Sequence, residues 1–193
     1  GGAVLQGHGW LGILMLVGCK SSMEPDGVAT LTRDGDPVVL TGADVPGLEG
    51  VSAADVVGYA RRAGAWQLIP IQVDERVVID VCEVYGKSSG RWEQEPACKT
   101  DQVLTSLVYA DPQTYTGADP DPLFDLDDEV VWMARDAGDQ VGAWTDPPSV
   151  VSGTGVEVEL RDGDERAYVY LFERADDSLD PGAGAQYVSY EFT

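Results

Sequence analysis

Asp125, Asp127 and Glu129 stand at alternate positions, so an extended backbone would set three carboxylates on one face. Asp128 sits among them, and Asp119, Asp121, Asp136 and Asp139 lie close by in sequence. Like charges packed this densely repel, and they need a cation, an arginine or abundant water beside them. Hard oxygen donors without histidine or cysteine select Ca²⁺ ahead of any transition metal. Asp74 and Glu75, at the end of an upstream β-rich run, are further candidate ligands. The spacing is not that of an EF-hand, because Val130 occupies the sixth place, where that loop needs glycine. The same residues also fit a solvated acidic loop on an acidic protein, and both readings stay open.

Other chemistry is limited by what the chain lacks. Its single histidine, His8, falls in a segment argued below to be removed. Without it a Ser-His-Asp or Cys-His arrangement cannot form within the chain, and neither can a His-ligated zinc, copper or iron site. Two carboxylates flanking a bond suffice for glycoside hydrolysis, yet among 34 acidic residues no pair stands out. Aromatic side chains could stack on sugar rings. Trp132, Tyr168 and Tyr170 lie in apolar runs that read as core, whereas Trp92 and Trp144 lie in loop-like contexts and are the candidate ligand-binding residues.

The elements that must position these residues read as strands. Asp34-Gly35 between residues 28–32 and 38–41 is a hairpin signal, because such turns need positive φ. A loop with a short helical turn after Ser52 leads to strands at 56–62 and 66–73. Pro70 points to an edge position or a bulge in the second of these. Further β-rich stretches occupy 77–84 and 103–110, then a proline-broken loop at 111–122 precedes a strand at 130–134. Val156, Val158 and Leu160 alternate with polar residues, Asp162-Gly163 makes a second hairpin turn, and 167–172 is apolar on both faces, as a central strand is. A last strand occupies 187–192. With no 3.6-residue periodicity, the expectation is an all-β fold, an antiparallel β-sandwich with long acidic loops. At 193 residues one domain can bury roughly two-thirds of its unfolded surface.

Charge narrows the partners. Thirty-four acidic against twelve basic residues give a net charge of -22, which repels nucleic acid and anionic lipid headgroups. Cations, basic partners or a salt-rich medium suit it better. Only Lys20, Lys87 and Lys99 are lysines, a composition that resembles salt-adapted proteins.

Residues 10–17 form an apolar core too short to span a bilayer as a helix but of signal-peptide length. It ends in Leu16-Val17-Gly18-Cys19, which resembles the bacterial lipoprotein signal. The resemblance implies cleavage before Cys19 and a diacylglycerol on its thiol, with residues 1–18 as signal peptide and 19–27 as tether. Residues 28–193 would then be one β-sandwich domain. Lys20 after the cysteine fits export to the outer membrane or surface in that family. Without an initiating methionine or a basic n-region, the true start is expected upstream. A strand that stops at Thr193 suggests part of a longer protein. Lipidation of Cys19 leaves Cys82 and Cys98, which an oxidising compartment would join across the polar insert 83–97.

Pro70, Gln72, Asp74 and Glu75, followed by Asp125, Asp127, Asp128, Glu129, Val130 and Val131, resemble a pairing of a PxQxDE strand with a DxDxxDELVF segment. That pairing occurs in secreted bacterial proteins, some of them from polysaccharide-degrading systems. The expectation is therefore an exported, lipid-anchored envelope or cell-surface module that binds or supports rather than catalyses. Asp125, Asp127, Asp128, Glu129, Asp74 and Glu75 are its candidate calcium ligands, with a solvated acidic loop as the favoured alternative, and its candidate partners are the membrane through the Cys19 anchor and a glycan or another envelope protein. The alternative is an accessory or catalytic module of a polysaccharide-degrading system that uses Trp92 and Trp144.

Overall fold

The computed structural model describes residues 27–32, 35–82 and 104–180, together with the backbone of residues 12–14. The strand expected at 187–192 lies outside the described residues. The chain divides into two compact units, one made of Gly1–Val73 with Leu123–Thr193, the other of Asp74–Pro122.

The larger unit is an all-β sandwich of antiparallel sheets. Its five-stranded sheet has the order β1 (Gly12–Leu14), β9 (Val156–Asp162), β10 (Glu165–Glu173), β3 (Val56–Arg62), β4 (Ala65–Ile69). A three-stranded sheet has the order β2 (Pro37–Thr41), β8 (Glu129–Met133), β5 (Gln72–Asp74). Alternation decides which side chains face inward. Val38 and Leu40 lie opposite Trp132 and Val130 and meet Val158, Leu160, Val169, Leu171, Ala60 and Ile69 of the other sheet in one core.

β10 is central, as its two apolar faces imply. Val169 and Leu171 enter the inter-sheet core, while Tyr168, Tyr170 and Phe172 enter a second cluster on the outer face with Val57, Tyr59 and Val141. Trp66, Tyr59, Phe172 and Tyr170 meet edge-on there, with centroids 5.1 to 6.3 Å apart, the geometry that the ring quadrupoles favour. A two-residue loop at Gly163 and Asp164 joins β9 to β10, with φ of 62° at Gly163 supplying the left-handed backbone the turn needs.

Two expectations are corrected. Residues 28–32 do not pair with β2 as a hairpin; β2 pairs with β8 instead. The segment runs beside the β9–β10 turn, where the N–H groups of Thr30 and Leu31 donate to Arg166 O and that of Ala29 donates to Asp139 Oδ1. The run 66–73 is not one strand. Pro70 cannot donate to a ladder, and the chain leaves the five-stranded sheet there to enter the three-stranded one as β5.

The smaller unit holds β6 (Arg76–Asp80) and β7 (Thr105–Tyr109), antiparallel, with Val78 opposite Leu107. Its loop closes on itself: Asp111 N–H donates to Gly117 O, and Gln113 N–H donates to Asp111 Oδ1.

Candidate functional site

The acidic stretch from Asp119 to Asp139 is anchored by Phe124, which is fully buried in the inter-sheet core. Its backbone bridges to residues 50–51: Phe124 N–H donates to Val51 O, and Phe124 O accepts from Gly50. The following turn is welded to the 3-10 turn Gly42–Asp44. Gly42 N–H donates to Asp128 O, and Ala43 N–H donates to Leu126 O. Gly42 has to be glycine, since a Cβ there would run into the carbonyl of Asp125.

Three carboxylates of this stretch, those of Asp119, Asp125 and Asp128, accept from backbone N–H groups two or three residues away. Asp125 Oδ1 accepts from Asp127 N–H at 3.0 Å, and Asp128 Oδ2 accepts from Asp125 N–H at 3.0 Å. Asp119 Oδ1 accepts from Asp121 N–H at 2.9 Å. Asp136 lies 3.8 Å from Arg62, whose guanidinium also donates to Arg135 O. Short acidic side chains do this well, because they reach a backbone N–H two or three residues away. Asp128 is fully buried, Asp125, Asp127 and Glu129 are half-buried, and Glu129 opens β8. Asp74 ends β5 and Glu75 follows it, its carbonyl accepting from Ala110 N–H. Among the described residues, no group of three or more His, Cys, Asp or Glu side chains is arranged to hold a metal ion.

A second polar constellation lies on the outer face of β9 and β10, and the sequence reading did not single it out. Glu159 is buried, with its Oε1 accepting from the Tyr168 hydroxyl at 3.0 Å. Arg161 Nε lies 2.9 Å from the same oxygen and Arg166 lies 3.7 Å away. Burial, and then the hydrogen bond to Glu159, push the Tyr168 hydroxyl up to about 12. Next along the face, Tyr170 lies opposite Glu157 and accepts from Val141 N–H at 2.7 Å. Burial raises the Tyr170 hydroxyl well above its ordinary range, and the charge of Glu157 adds to this. The Asp162-Gly163 turn carried the signal: a two-residue loop fixes the register, which puts Glu159 across from Tyr168 and Glu157 across from Tyr170. This arrangement holds its charges and phenols in fixed pairs. It is suited to fixing two strands in register, because both tyrosines stay protonated through the neutral range.

Trp144 is half-buried and packs edge-on against Tyr170, with centroids 5.2 Å apart, while its Nε1 donates to Asp146 Oδ1. Cys82 is buried just past β6, its N–H donating to Asp80 Oδ1. Trp92, Cys98 and Cys19 lie outside the described residues. No described helix is long and apolar enough to cross a membrane. No protein-family model, curated protein or solved structure matches the chain.

Proposed function

We propose that the chain is an exported, lipid-anchored module of the cell envelope or cell surface that works by binding or by structural support rather than by catalysis. One observation carries this reading. Among the described residues, the part of the apolar leader that the structure describes, β1, lies at the edge of the five-stranded sheet and pairs with β9 at three positions. An edge strand can be cut away at the cost of one short ladder, whereas a central strand cannot. An edge position supports a removable signal segment that ends at Gly18, with the cut before Cys19. The side chains best suited to chemistry support the non-catalytic half of the reading: Asp125, Asp128 and Glu159 all serve internal partners.

A disulfide between Cys82 and Cys98 belongs to the same reading and is supported by the burial of Cys82. Closing a loop of about 15 residues would contribute on the order of 3 kcal/mol. The test is expression in a bacterial host with an alkyne-tagged fatty acid. The wild-type chain is expected to take up the label and to fractionate with membranes. Cys19→Ser is expected to do neither and to keep its precursor mass. A wild-type chain that remains unlabelled overturns the proposal.

A further inference from the structure

The tether joins the larger unit at one end of its strands. Gln140 N–H donates to Gly27 O, and Ala29 N–H donates to Asp139 Oδ1. The N–H groups of Thr30 and Leu31 donate to Arg166 O, Arg166 N–H donates back to Thr30 Oγ1, and Thr32 donates to the Glu165 carboxylate. These partners sit where β3 and β10 meet their turns: Asp139 N–H donates to Arg61 O, and Glu165 follows the Gly163-Asp164 loop. From Gly27 onwards the chain is therefore fixed to the end that carries the turns at residues 63–64 and 163–164. The opposite end is formed by Val56, Glu173 and Val156, with Gly47 against Val156 and Asp55 O accepting from Arg174 N–H.

Charge divides unevenly between the two ends. At the tether end, Arg61, Arg62, Arg135, Arg161 and Arg166 stand among Asp36, Asp136, Asp139, Asp162, Asp164 and Glu165 and offset most of their charge. At the other end lie Asp44, Glu49, Asp125, Asp127, Glu129 and Asp176, while Arg174 is taken up by Asp55 and Asp177. An anionic leaflet repels the second end far more strongly than the first, within a Debye length of its surface.

Reach acts in the same direction. Residues 19–26 span at most about 28 Å when fully extended. The seven residues of β3 separate the two ends by about 23 Å. With the acidic end against the bilayer, the tether would have to run the length of the unit and be drawn almost straight, at a cost in chain entropy. With the tether end against the bilayer, it needs no such extension.

Resting on the lipoprotein reading above, we propose that the larger unit meets the membrane with the end that carries the turns at 63–64 and 163–164. Its acidic end, with residues 123–129, is held away from the lipid. The surface that the tether end fits is a bilayer with anionic headgroups.

Single cysteines at exposed positions report the orientation: Ala65→Cys and Asp164→Cys at the tether end, Glu49→Cys and Ala54→Cys at the other. Each lipidated protein is labelled with a donor dye and added to preformed vesicles of phosphatidylethanolamine and phosphatidylglycerol that carry an acceptor dye on their headgroups. Labels at 65 and 164 should lie about 20 Å nearer the acceptors than labels at 49 and 54, and should transfer energy more strongly. Two positions at each end preserve the comparison if one label perturbs the fold, which the melting temperature of each variant reports. Equal transfer from the two ends, or stronger transfer from 49 and 54, overturns the proposal. Intact mass reports on the anchor separately. A chain without lipid on Cys19 overturns the anchor and the orientation together, whereas a lipidated chain with equal transfer overturns the orientation alone.

Discussion

Replacing Glu159 should separate the value of its charge from the value of its hydrogen bond. Its side chain is 6% exposed, whereas those of Arg161 and Arg166 are 34% and 50% exposed, so water screens both ion pairs. Glu159→Gln removes the charge and keeps an acceptor for Tyr168. With partly exposed partners, the loss should be about 1 kcal/mol. Glu159→Ala also strands the buried Tyr168 hydroxyl, which adds roughly 1–3 kcal/mol, for a total of about 3 kcal/mol. In a chain of this size each kcal/mol moves Tm by roughly 2–4 °C, so the alanine variant should melt roughly 6–12 °C lower. Tyr168→Phe closes a double-mutant cycle with Glu159→Ala, and its coupling energy should be about 1.5 kcal/mol. Urea unfolding of the four proteins, checked by calorimetry, supplies the numbers. A coupling energy under about 0.3 kcal/mol would refute the pairing as a stabilising contact.

Three further perturbations have defined outcomes. Gly42→Ala drives a Cβ into the Asp125 carbonyl, a backbone atom that cannot swing aside. It should cost about 3 kcal/mol or more by urea midpoint and speed amide exchange at Ala43, whose N–H donates to Leu126 O. For Tyr168 the folded value near 12 lies above the ordinary 10.0, so the stability it adds is fully present below pH 10 and is lost as pH rises through 12. Tyr168→Phe should therefore lose less stability than wild type across that window when urea midpoints are compared. Since Asp125 and Asp128 already cap their own loop, Tm should be equal in Ca²⁺ and in chelator at matched ionic strength. A rise of several degrees in Ca²⁺ alone would place a cation there.

What could be read from the sequence was local. The alternation at Val156, Val158 and Leu160 marks β9 without help from any other segment, and the doubly apolar run before Glu173 marks β10 as central. Pairing across long separations left no such mark. β2 reads equally well as half of a hairpin with residues 28–32 and as a partner of β8, and only the packing of Val38 on Trp132 decides between them. Pro70 signalled an interruption, but whether the chain bulges or changes sheets depends on where the second sheet lies. The acidic stretch shows the same limit. Spacing predicts that Asp125 and Asp127 share a face, whereas the turn after Phe124 directs Asp125 to the N–H of Asp127. Short-range capping outweighs period-2 geometry wherever aspartates sit in a turn.

The most direct test is intact-mass spectrometry of the protein extracted from cell membranes. A mature chain that begins at Cys19 and carries lipid is the predicted result. A chain that retains residues 12–14, with an unmodified Cys19, would make β1 a permanent strand and contradict the proposed anchor.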